Sequence, residues 1–245
     1  CGNRPDQTGK AAAAAATGAI IGHVPTLTAT DARAAVDAAA AAFPVWSGLL
    51  PQERSKVLRR WFELVAAARD DLAVIMTAEQ GKPLEEAKGE SAYAANFLDW
   101  FAAEGERVYG ETIPSHISAS RLSVQMQPVG VTAAITPWNF PSAMIARKAG
   151  AALAAGCAMI VKPAPETPLS ALALARLALE AGVPGGVFQV VTGEPVTLAR
   201  RLLDLPEVRA FSFTGSTEVG RALLERSART VKKASLELGG HAPFV

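Results

Sequence analysis

The chain has 245 residues, of which half are hydrophobic and 19% are charged, a composition typical of a globular protein with a substantial core. Its formal net charge of +1 argues against nucleic acid as a partner, because phosphate binding requires clustered Lys and Arg. Two cysteines, Cys1 and Cys157, exclude a disulfide framework and a sulfur-rich metal site. No apolar run approaches the length that spans a bilayer, so we expect no membrane partner and a reducing, cytoplasmic setting.

Both ends of the sequence predict that it belongs to a longer chain. The first residue is Cys1 and not Met, so the true amino terminus is expected to lie upstream. The alanine run at 11–16 lacks a preceding basic stretch and is interpreted as low complexity near a frayed end, not as a secretion signal. The apolar residues 242–245 look like a strand that is cut partway through.

The first hundred residues show the apolar spacing of amphipathic helices. One helix is predicted to be capped at Thr30-Asp31, and a second to begin at Pro51. The second extends or restarts over 70–80 and stops at Gly81, and a third covers 83–108. This part of the chain is therefore predicted to be mostly helical.

The pattern then changes to strands. Residues 121–126 alternate polar and apolar side chains, which indicates a half-exposed strand. Five apolar strands are predicted further on, at 131–135, 158–162, 187–192, 209–213 and 233–238. Helical segments follow Pro141, Pro168, Pro195 and Ser216. Strands without alternation are covered on both faces, so the predicted fold class is α/β, a Rossmann-like parallel sheet with flanking helices.

Ligands of such sheets bind beyond the carboxyl ends of the strands, so the residues there are candidate site residues. After the first strand, Pro137 and Pro141 restrict the backbone around Asn139. A rigidly held Asn139 can donate its side-chain N–H to an oxygen that gains negative charge, or it can cap the next helix. Lys162 closes the second strand and can bind a ribose hydroxyl or a phosphate, or simply reach water.

The remaining strands end in glycine-containing turns. Gly193, after the third strand, allows a close backbone approach to a ligand. The fourth strand leads through Gly215 into a helix that opens with Ser216, an arrangement suited to a pyrophosphate but not the usual G-x-G-x-x-G fingerprint. After the fifth, Glu237 lies between two leucines and before two glycines, which suits a partly desolvated general base on mobile backbone, or a solvated loop glutamate.

These motifs together resemble the aldehyde dehydrogenase superfamily in their order and spacing. The segments concerned are Thr136-Pro137-Trp138-Asn139-Phe140-Pro141, Lys162-Pro163-Ala164, Phe213-Thr214-Gly215-Ser216-Thr217 and Leu236-Glu237-Leu238-Gly239-Gly240. Glu79-Gln80-Gly81-Lys82-Pro83 and Trp100-Phe101-Ala102 are similar to the amino-terminal region of that family. The resemblance implies NAD(P)-dependent oxidation of an aldehyde.

The resemblance also implies roles for individual residues. Asn139 matches the asparagine that stabilises the oxyanion, and Glu237 matches the general base that activates water. Lys162 matches the lysine that binds the adenosine ribose, or the 2′-phosphate of NADP. The other implied cofactor-binding residues are Thr136, Pro137, Trp138, Pro163, Ala164, Pro165, Gly193, Gly215, Ser216, Thr217, Glu218, Val219, Gly220 and Leu238.

The nucleophile of the family is a cysteine thiolate that forms a thioester with the aldehyde, and it lies beyond the Leu-Glu-Leu-Gly-Gly motif. This chain reaches Val245 before such a cysteine, so the fragment is expected to be inactive and to lack the catalytic domain. Cys157 precedes a buried strand and is expected to pack, not to react. His241 is expected to pack or to cap.

Residues 142–148 resemble the succinate-semialdehyde dehydrogenase branch, in which the residue matching Arg147 binds the distal carboxylate of the substrate. A guanidinium on the helix after Asn139 suits that task, although a surface helix arginine is the alternative, and a glutarate-semialdehyde dehydrogenase would use the same device. Many NAD-preferring members carry glutamate where this chain has Pro165. Without that repulsion NADP is the predicted cofactor, with NAD as the alternative.

Three regions are predicted: a helical part of the cofactor-binding domain at 1–119, a strand of an oligomerisation arm at 120–130, and the Rossmann-like core at 131–245. The intact enzyme is expected to be a homodimer or homotetramer that acts on a small semialdehyde, with no metal. A non-catalytic nucleotide-binding or subunit-pairing module is the alternative. A short-chain dehydrogenase is excluded, because neither Tyr93 nor Tyr109 is followed four residues later by lysine.

Overall fold

The computed structural model describes residues 9–240, so the predictions for Cys1, for His241 and for residues 242–245 lie outside the described residues. The described part begins with an antiparallel hairpin of β1 (Lys10–Ala13) and β2 (Ile20–Val24). The expectation of a frayed, low-complexity end at 11–16 is therefore wrong for its first residues. The alanines of β1 pair with β2, and Ala12 is buried.

Four helices follow, as the apolar spacing predicts. They are α1 (Ala29–Ser47), α2 (Pro51–Ala67), α3 (Arg69–Gln80) and α4 (Leu84–Gly105). The cap of α1 is Thr28 and not Thr30, because Thr28 and Asp31 hydrogen-bond each other's backbone N–H groups. Gly81 ends α3 in the left-handed conformation with φ of 84°, as the sequence predicts.

A second hairpin projects from the helical part. It pairs β3 (Glu111–Ile113) with β4 (Leu122–Val124) in antiparallel register. The predicted strand at 121–126 is confirmed at its centre, whereas its partner β3 was not predicted. Every residue of both strands is exposed, so burial imposes no periodicity from which β3 could be recognised.

The remaining chain forms one five-stranded parallel sheet. Its strands are β5 (Val131–Ile135), β6 (Ala158–Lys162), β7 (Phe188–Val190), β8 (Val208–Gly215) and β9 (Lys233–Leu238). The strand order is β7-β6-β5-β8-β9, so successive strands are added on one side of β5 and then, from β8 onwards, on its other side. A ligand crevice opens in α/β sheets at the point where the strand order reverses in this way, here between β5 and β8. The predicted α/β fold class is confirmed.

Helices connect the strands and cover both faces of the sheet. They are α5 (Pro141–Ala154), α6 (Pro168–Glu180), α7 (Pro195–Asp204) and α8 (Thr217–Ser227), each starting within one residue of the predicted position. One core lies against α2, α4, α5 and α6 and includes Trp61 and Val161. The other lies against α1 and α7 and includes Ile160 and Phe211. Because neighbours such as Ile160 and Val161 face opposite cores, the strands are apolar throughout.

Within residues 9–240 no single helix is both long and apolar enough to cross a membrane. Only α1 and α2 taken together satisfy that test, by length and composition alone, and they are bent by 118° at their junction.

Candidate functional site

A cavity of about 750 Å³ opens at the carboxyl edge of the sheet, between the ends of β5, β6 and β8 and the helices α7 and α8. Predicted cofactor residues make up much of its wall: Thr136, Pro137, Trp138, Lys162, Ala164, Pro165, Gly215, Ser216 and Val219. They come from three separate segments of the chain. The parallel sheet brings them together because all of its strands end at this edge.

Lys162 reaches this cavity from the end of an otherwise apolar strand. The residue is only 5% exposed, and burial lowers the pKa of its ammonium, while the nearby charges of Glu166 and Glu194 act in the opposite direction. No carboxylate among residues 9–240 forms an ion pair with it. A buried, unpaired ammonium at a cavity wall is suited to an anionic ligand.

The amino terminus of α8 faces the same cavity. Ser216 caps the helix by accepting a hydrogen bond from the backbone N–H of Val219 at 3.3 Å. The N–H groups of Thr217 and Glu218, in the first turn, have no acceptor within the described part of the chain. These donors and the positive end of the helix dipole can bind a phosphate group.

Two observations support the fit of a dinucleotide. The cavity volume lies in the range of pockets that enclose small molecules and cofactors. The hydroxyl oxygen of Thr136 is buried at the wall and has no hydrogen-bond partner within residues 9–240, so a ligand atom can supply one. The residues present therefore fit a phosphate-bearing nucleotide.

At two of the predicted cofactor-binding glycines, packing within the protein itself explains why no side chain fits. At Gly193 a Cβ atom would lie 2.4 Å from the main-chain oxygen of Leu27, so the close approach is made by the chain's own backbone. At Gly220 a Cβ atom would lie 2.4 Å from a methyl carbon of Leu238, where α8 packs on β9. Gly193 lines only a very small cavity, with Pro163, so its predicted place near the adenine stays a prediction.

A second cavity of about 310 Å³ adjoins the first and contains both predicted catalytic residues. It is lined by Pro137, Trp138, Asn139, Thr214, Gly215, Glu237, Leu238 and Gly239. Pro137, Trp138 and Gly215 border both cavities, so a ligand in the large cavity lies next to the space that Asn139 and Glu237 share.

Glu237 differs from the partly desolvated loop residue that the sequence suggests. It lies in β9, paired in register with Thr214 of β8, and its side chain is 60% exposed. β9 is the edge strand of the described sheet, and five of its six residues are exposed. Its carboxylate lies 3.5 Å from the guanidinium of Arg147, so the predicted general base and the predicted substrate-binding residue are in contact.

Arg147 and Lys148 both extend from α5 towards this cavity. The Arg147 guanidinium lies 5.7 Å from the ring centre of Phe97, which in turn stacks on Tyr93. The Lys148 ammonium donates hydrogen bonds of 2.9 Å to the hydroxyls of Ser212 and Thr214 on β8. Burial, reinforced by the positive charge of Arg147, lowers the pKa of Lys148 to about 8, while Glu237 acts in the opposite direction.

Comparison with known proteins places this arrangement in a family. The sequence model of the aldehyde dehydrogenase family matches residues 4–245. The chain belongs to the aldehyde dehydrogenase family.

Its relatives in the family are about twice as long. A succinate-semialdehyde dehydrogenase [NADP(+)] of Escherichia coli (strain K12) is 60% identical over 230 residues, which is 94% of this chain and 48% of the relative. A glutarate-semialdehyde dehydrogenase of Pseudomonas aeruginosa has the same identity and coverage. The crystal structure of succinate-semialdehyde dehydrogenase from Burkholderia pseudomallei superposes with a TM-score of 0.95 at 56% identity, covering 97% of this chain and 49% of that one. The chain thus spans about half the length of the relatives it matches.

In this aldehyde dehydrogenase chain, sequence reasoning did not find every residue of the cavities. Lys148 was not among the predicted site residues, although its ammonium donates to the hydroxyls of Ser212 and Thr214, and Thr214 lines the smaller cavity. The walls formed by α7 and α8, including Val196, Arg200 and Arg226, were also missed. Helical spacing groups such residues on one face but does not reveal which face borders the crevice.

Two further observations concern reactive groups. Cys157 is a free and buried thiol, which agrees with the expected packing position. Within residues 9–240 no group of three or more His, Cys, Asp or Glu side chains could hold a metal ion.

Proposed function

We propose that this chain is the cofactor-binding half of an NADP-dependent dehydrogenase that oxidises succinate semialdehyde to succinate. The observation that carries the proposal is the contact of Arg147 with Glu237. Glu237 and Asn139 line the same cavity, and this cavity adjoins the larger one that Lys162 lines. An oxyanion donor, a base and a carboxylate-binding guanidinium are thereby grouped at the edge of a nucleotide-sized crevice.

Each of these residues has a distinct task in the proposal. The Asn139 amide donates to the aldehyde oxygen as that oxygen gains negative charge. Glu237 accepts a proton from the attacking water. Arg147 binds the distal carboxylate of the substrate; its present partner, Glu237, is mostly exposed, so exchanging one carboxylate for the other costs little. The nicotinamide cofactor supplies the acceptor for the hydride, and the nucleophile is expected in the other half of the enzyme.

The preference for NADP rests on charges in the large cavity. Lys162 is a buried cation that can bind an anion, and Pro165 stands where NAD-preferring relatives are expected to carry a repelling glutamate. Arg200 and Arg229 line the same cavity and add positive charge, whereas Arg226, also in its wall, is paired with Asp204 and the wall includes the carboxylate of Glu225. The Escherichia coli relative carries NADP(+) in its name.

The cofactor assignment is tested with the 245-residue chain itself. NADPH added to the chain is expected to bind and to fluoresce more strongly than free NADPH, because the cavity shields it from water. Lys162→Ala is expected to abolish this signal up to about 1 mM NADPH, since a charge-assisted contact to phosphate is lost. The measurement is a fluorescence titration.

The matched control is Lys56→Ala, which removes an exposed lysine of α2 far from the sheet edge and should bind NADPH like the wild type. A parallel titration with NADH tests the preference between the two cofactors. Lack of NADPH binding by the wild-type chain at about 1 mM would contradict the proposed cofactor site.

The substrate is tested in the enzyme that contains this chain together with its catalytic half. Arg147→Met is expected to lower kcat/KM for succinate semialdehyde by about 10- to 100-fold, because a charge-assisted bidentate contact contributes about 1.5–3 kcal/mol. Butyraldehyde, which has the same length but no carboxylate, should be affected much less. Arg176→Met, at an exposed site of α6, serves as the control. An equal loss for both aldehydes would show that Arg147 does not bind the carboxylate.

Two alternatives remain within the proposal. A glutarate-semialdehyde dehydrogenase has the same identity to this chain as the succinate-semialdehyde enzyme, so the kcat/KM values for both semialdehydes must be compared. A non-catalytic nucleotide-binding or subunit-pairing module would bind NADPH without oxidising an aldehyde. A reading frame that continues past Val245 to a cysteine supports the enzyme, whereas a stop codon there supports the module.

The assembly is also part of the proposal. We assign the regions 1–119, 120–130 and 131–245 to the helical part, the arm and the core; the arm contains β4, which pairs with β3 of the preceding region. All six residues of the hairpin strands are exposed, which suits pairing with another subunit in a homodimer or homotetramer. A reducing location such as the cytoplasm is consistent with the free thiol of Cys157.

A further inference from the structure

A buried ion pair lies directly behind Asn139. Lys82, in the connection between α3 and α4, pairs with Glu90 of α4, and their side chains are only 10% and 1% exposed. The Lys82 ammonium also donates a hydrogen bond of 2.8 Å to the main-chain oxygen of Asn139 and lies 4.1 Å from the ring centre of Phe140. Because the pair is shielded from water, salt screens it little and its geometry is well defined.

Glu90 binds the other end of the same segment. One of its oxygens accepts hydrogen bonds from the backbone N–H groups of Ser142 at 3.0 Å and Ala143 at 3.2 Å, in the first turn of α5. Phe140, the N-cap residue of that helix, offers no side-chain acceptor. The carboxylate therefore caps α5 from a distance of more than fifty residues in sequence, and it does so at the favourable end of the helix dipole.

The described hydrogen bonds of Asn139 hold its backbone and not its side chain. Asn139 is exposed, and within residues 9–240 no group hydrogen-bonds its side-chain amide. Its main-chain oxygen, in contrast, accepts from Lys82 and also, at 3.3 Å, from the side chain of Gln80. The peptide between Asn139 and Phe140 is thus held by donors from outside its own loop.

We propose that Lys82, held in place by Glu90, is a positioning residue for Asn139. By fixing the Asn139–Phe140 peptide, it keeps the Asn139 amide at the wall of the cavity that Glu237 shares. A preorganised donor stabilises a developing oxyanion without a reorganisation step, and a displacement of about 1 Å can lower the rate by about 100-fold. The inference rests on the proposed function, because only aldehyde oxidation requires this donor.

The variants must separate positioning from folding. Lys82→Met removes the donor to Asn139 but leaves the buried Glu90 carboxylate without its counter-charge, which by itself can unfold the chain. The double variant Lys82→Met with Glu90→Gln avoids this, because the glutamine oxygen can still accept from Ser142 and Ala143. Lys82→Arg retains both the charge and the donors. Lys88→Met is the matched control, because among residues 9–240 this lysine of α4 forms an ion pair only with Glu85.

The experiment measures kcat and KM in the enzyme that contains this chain, by varying the aldehyde at saturating NADP and NADP at saturating aldehyde, together with the thermal midpoint. We expect the double variant to lose about 10- to 100-fold in kcat while KM for the aldehyde and for NADP changes by less than about threefold. Lys82→Arg should recover most of the lost rate, and Lys88→Met should match the wild type.

Two results overturn the inference while leaving the proposed function intact. One is a wild-type kcat in the double variant. The other is a loss of kcat that is accompanied by equal changes in both KM values and the thermal midpoint and is not recovered by Lys82→Arg, since that pattern indicates a purely structural pair. An absence of aldehyde oxidation in the wild-type enzyme overturns the proposed function instead, and this inference with it.

Discussion

Lys148 illustrates how a single side chain acquires its properties from tertiary neighbours. It follows Arg147 on α5, and nothing in the local sequence marks its ammonium as unusual. In the fold it is largely buried against β8 and hydrogen-bonded to Ser212 and Thr214. Burial first, and Arg147 second, lower its pKa to about 8, so it titrates in a range where an ordinary lysine stays charged.

This lowered pKa predicts a pH dependence of stability. Between pH 8 and the ordinary lysine pKa of 10.5, Lys148 binds fewer protons in the folded than in the unfolded chain. Its contribution to the free energy of unfolding therefore rises with pH across this window, by at most about 1.4 kcal/mol per pH unit. Below pH 8 the slope is zero and the cost of burying the charged ammonium is fully present. Lys148→Met should remove the Lys148 share of this rise and so lower the slope, although burial lowers the pKa values of Lys162 and Lys232 as well. The measurement is urea unfolding of the 245-residue chain at several pH values.

The matched control is Lys56→Met, at an exposed lysine of α2, which should keep the wild-type slope. Parallel curves for the wild type and Lys148→Met across this range would show that Lys148 has an ordinary pKa in the folded chain.

At the scale of elements, the helices differ in the origin of their caps. The cap of α1 is local, formed by Thr28 and Asp31, and such a pattern can be recognised in sequence even though its exact residue was misplaced here. The caps of α5 and α6 are not local. Glu90 caps α5, and Glu79 accepts from the backbone N–H groups of Leu169 and Ser170 in α6, at 2.7 and 2.8 Å.

These distant caps explain why two acidic residues are buried in α3 and α4. Burial raises the pKa of the Glu79 carboxyl, and its hydrogen bonds to Ser170 and Leu169 partly offset this effect. The starts of α5 and α6 were predicted from Pro141 and Pro168, because proline favours the first turn. In each case a glutamate from another helix accepts hydrogen bonds from the backbone N–H groups of that first turn. This contact depends on the tertiary structure, because no local pattern connects residues so far apart.

At the scale of the molecule, the helical part and the sheet share their cores. Trp46 of α1 and Leu58 of α2 pack with β6 and α5 residues, so the first hundred residues support the sheet and do not form a separate body. The hairpin of β3 and β4 is the exception. Leu122 and Val124 are exposed there, and with Ile113 they form an apolar surface on a two-stranded sheet whose outer edges pair with no other described strand.

This surface predicts self-association of the chain. The weight-average mass from light scattering should rise with concentration in the wild type, because exposed apolar strands favour pairing between chains. Val124→Asp should lower that mass towards the monomer. Val74→Asp, at a solitary exposed valine of α3, is the control and should behave like the wild type. A wild-type chain that stays monomeric at all concentrations, or equal effects of both variants, would contradict a role of the hairpin.

The sequence by itself determined the order and kind of most elements and the candidate residues at the strand ends. Apolar runs, prolines at helix starts and Gly81 act over a few residues, so their effects can be read locally. Only the tertiary structure decided which strands are neighbours, that Glu237 lies at an exposed edge beside Arg147, and that Lys82 and Glu90 hold the segment of Asn139. The physical reason is that burial and pairing depend on groups that are distant in sequence, whereas helix and turn preferences do not.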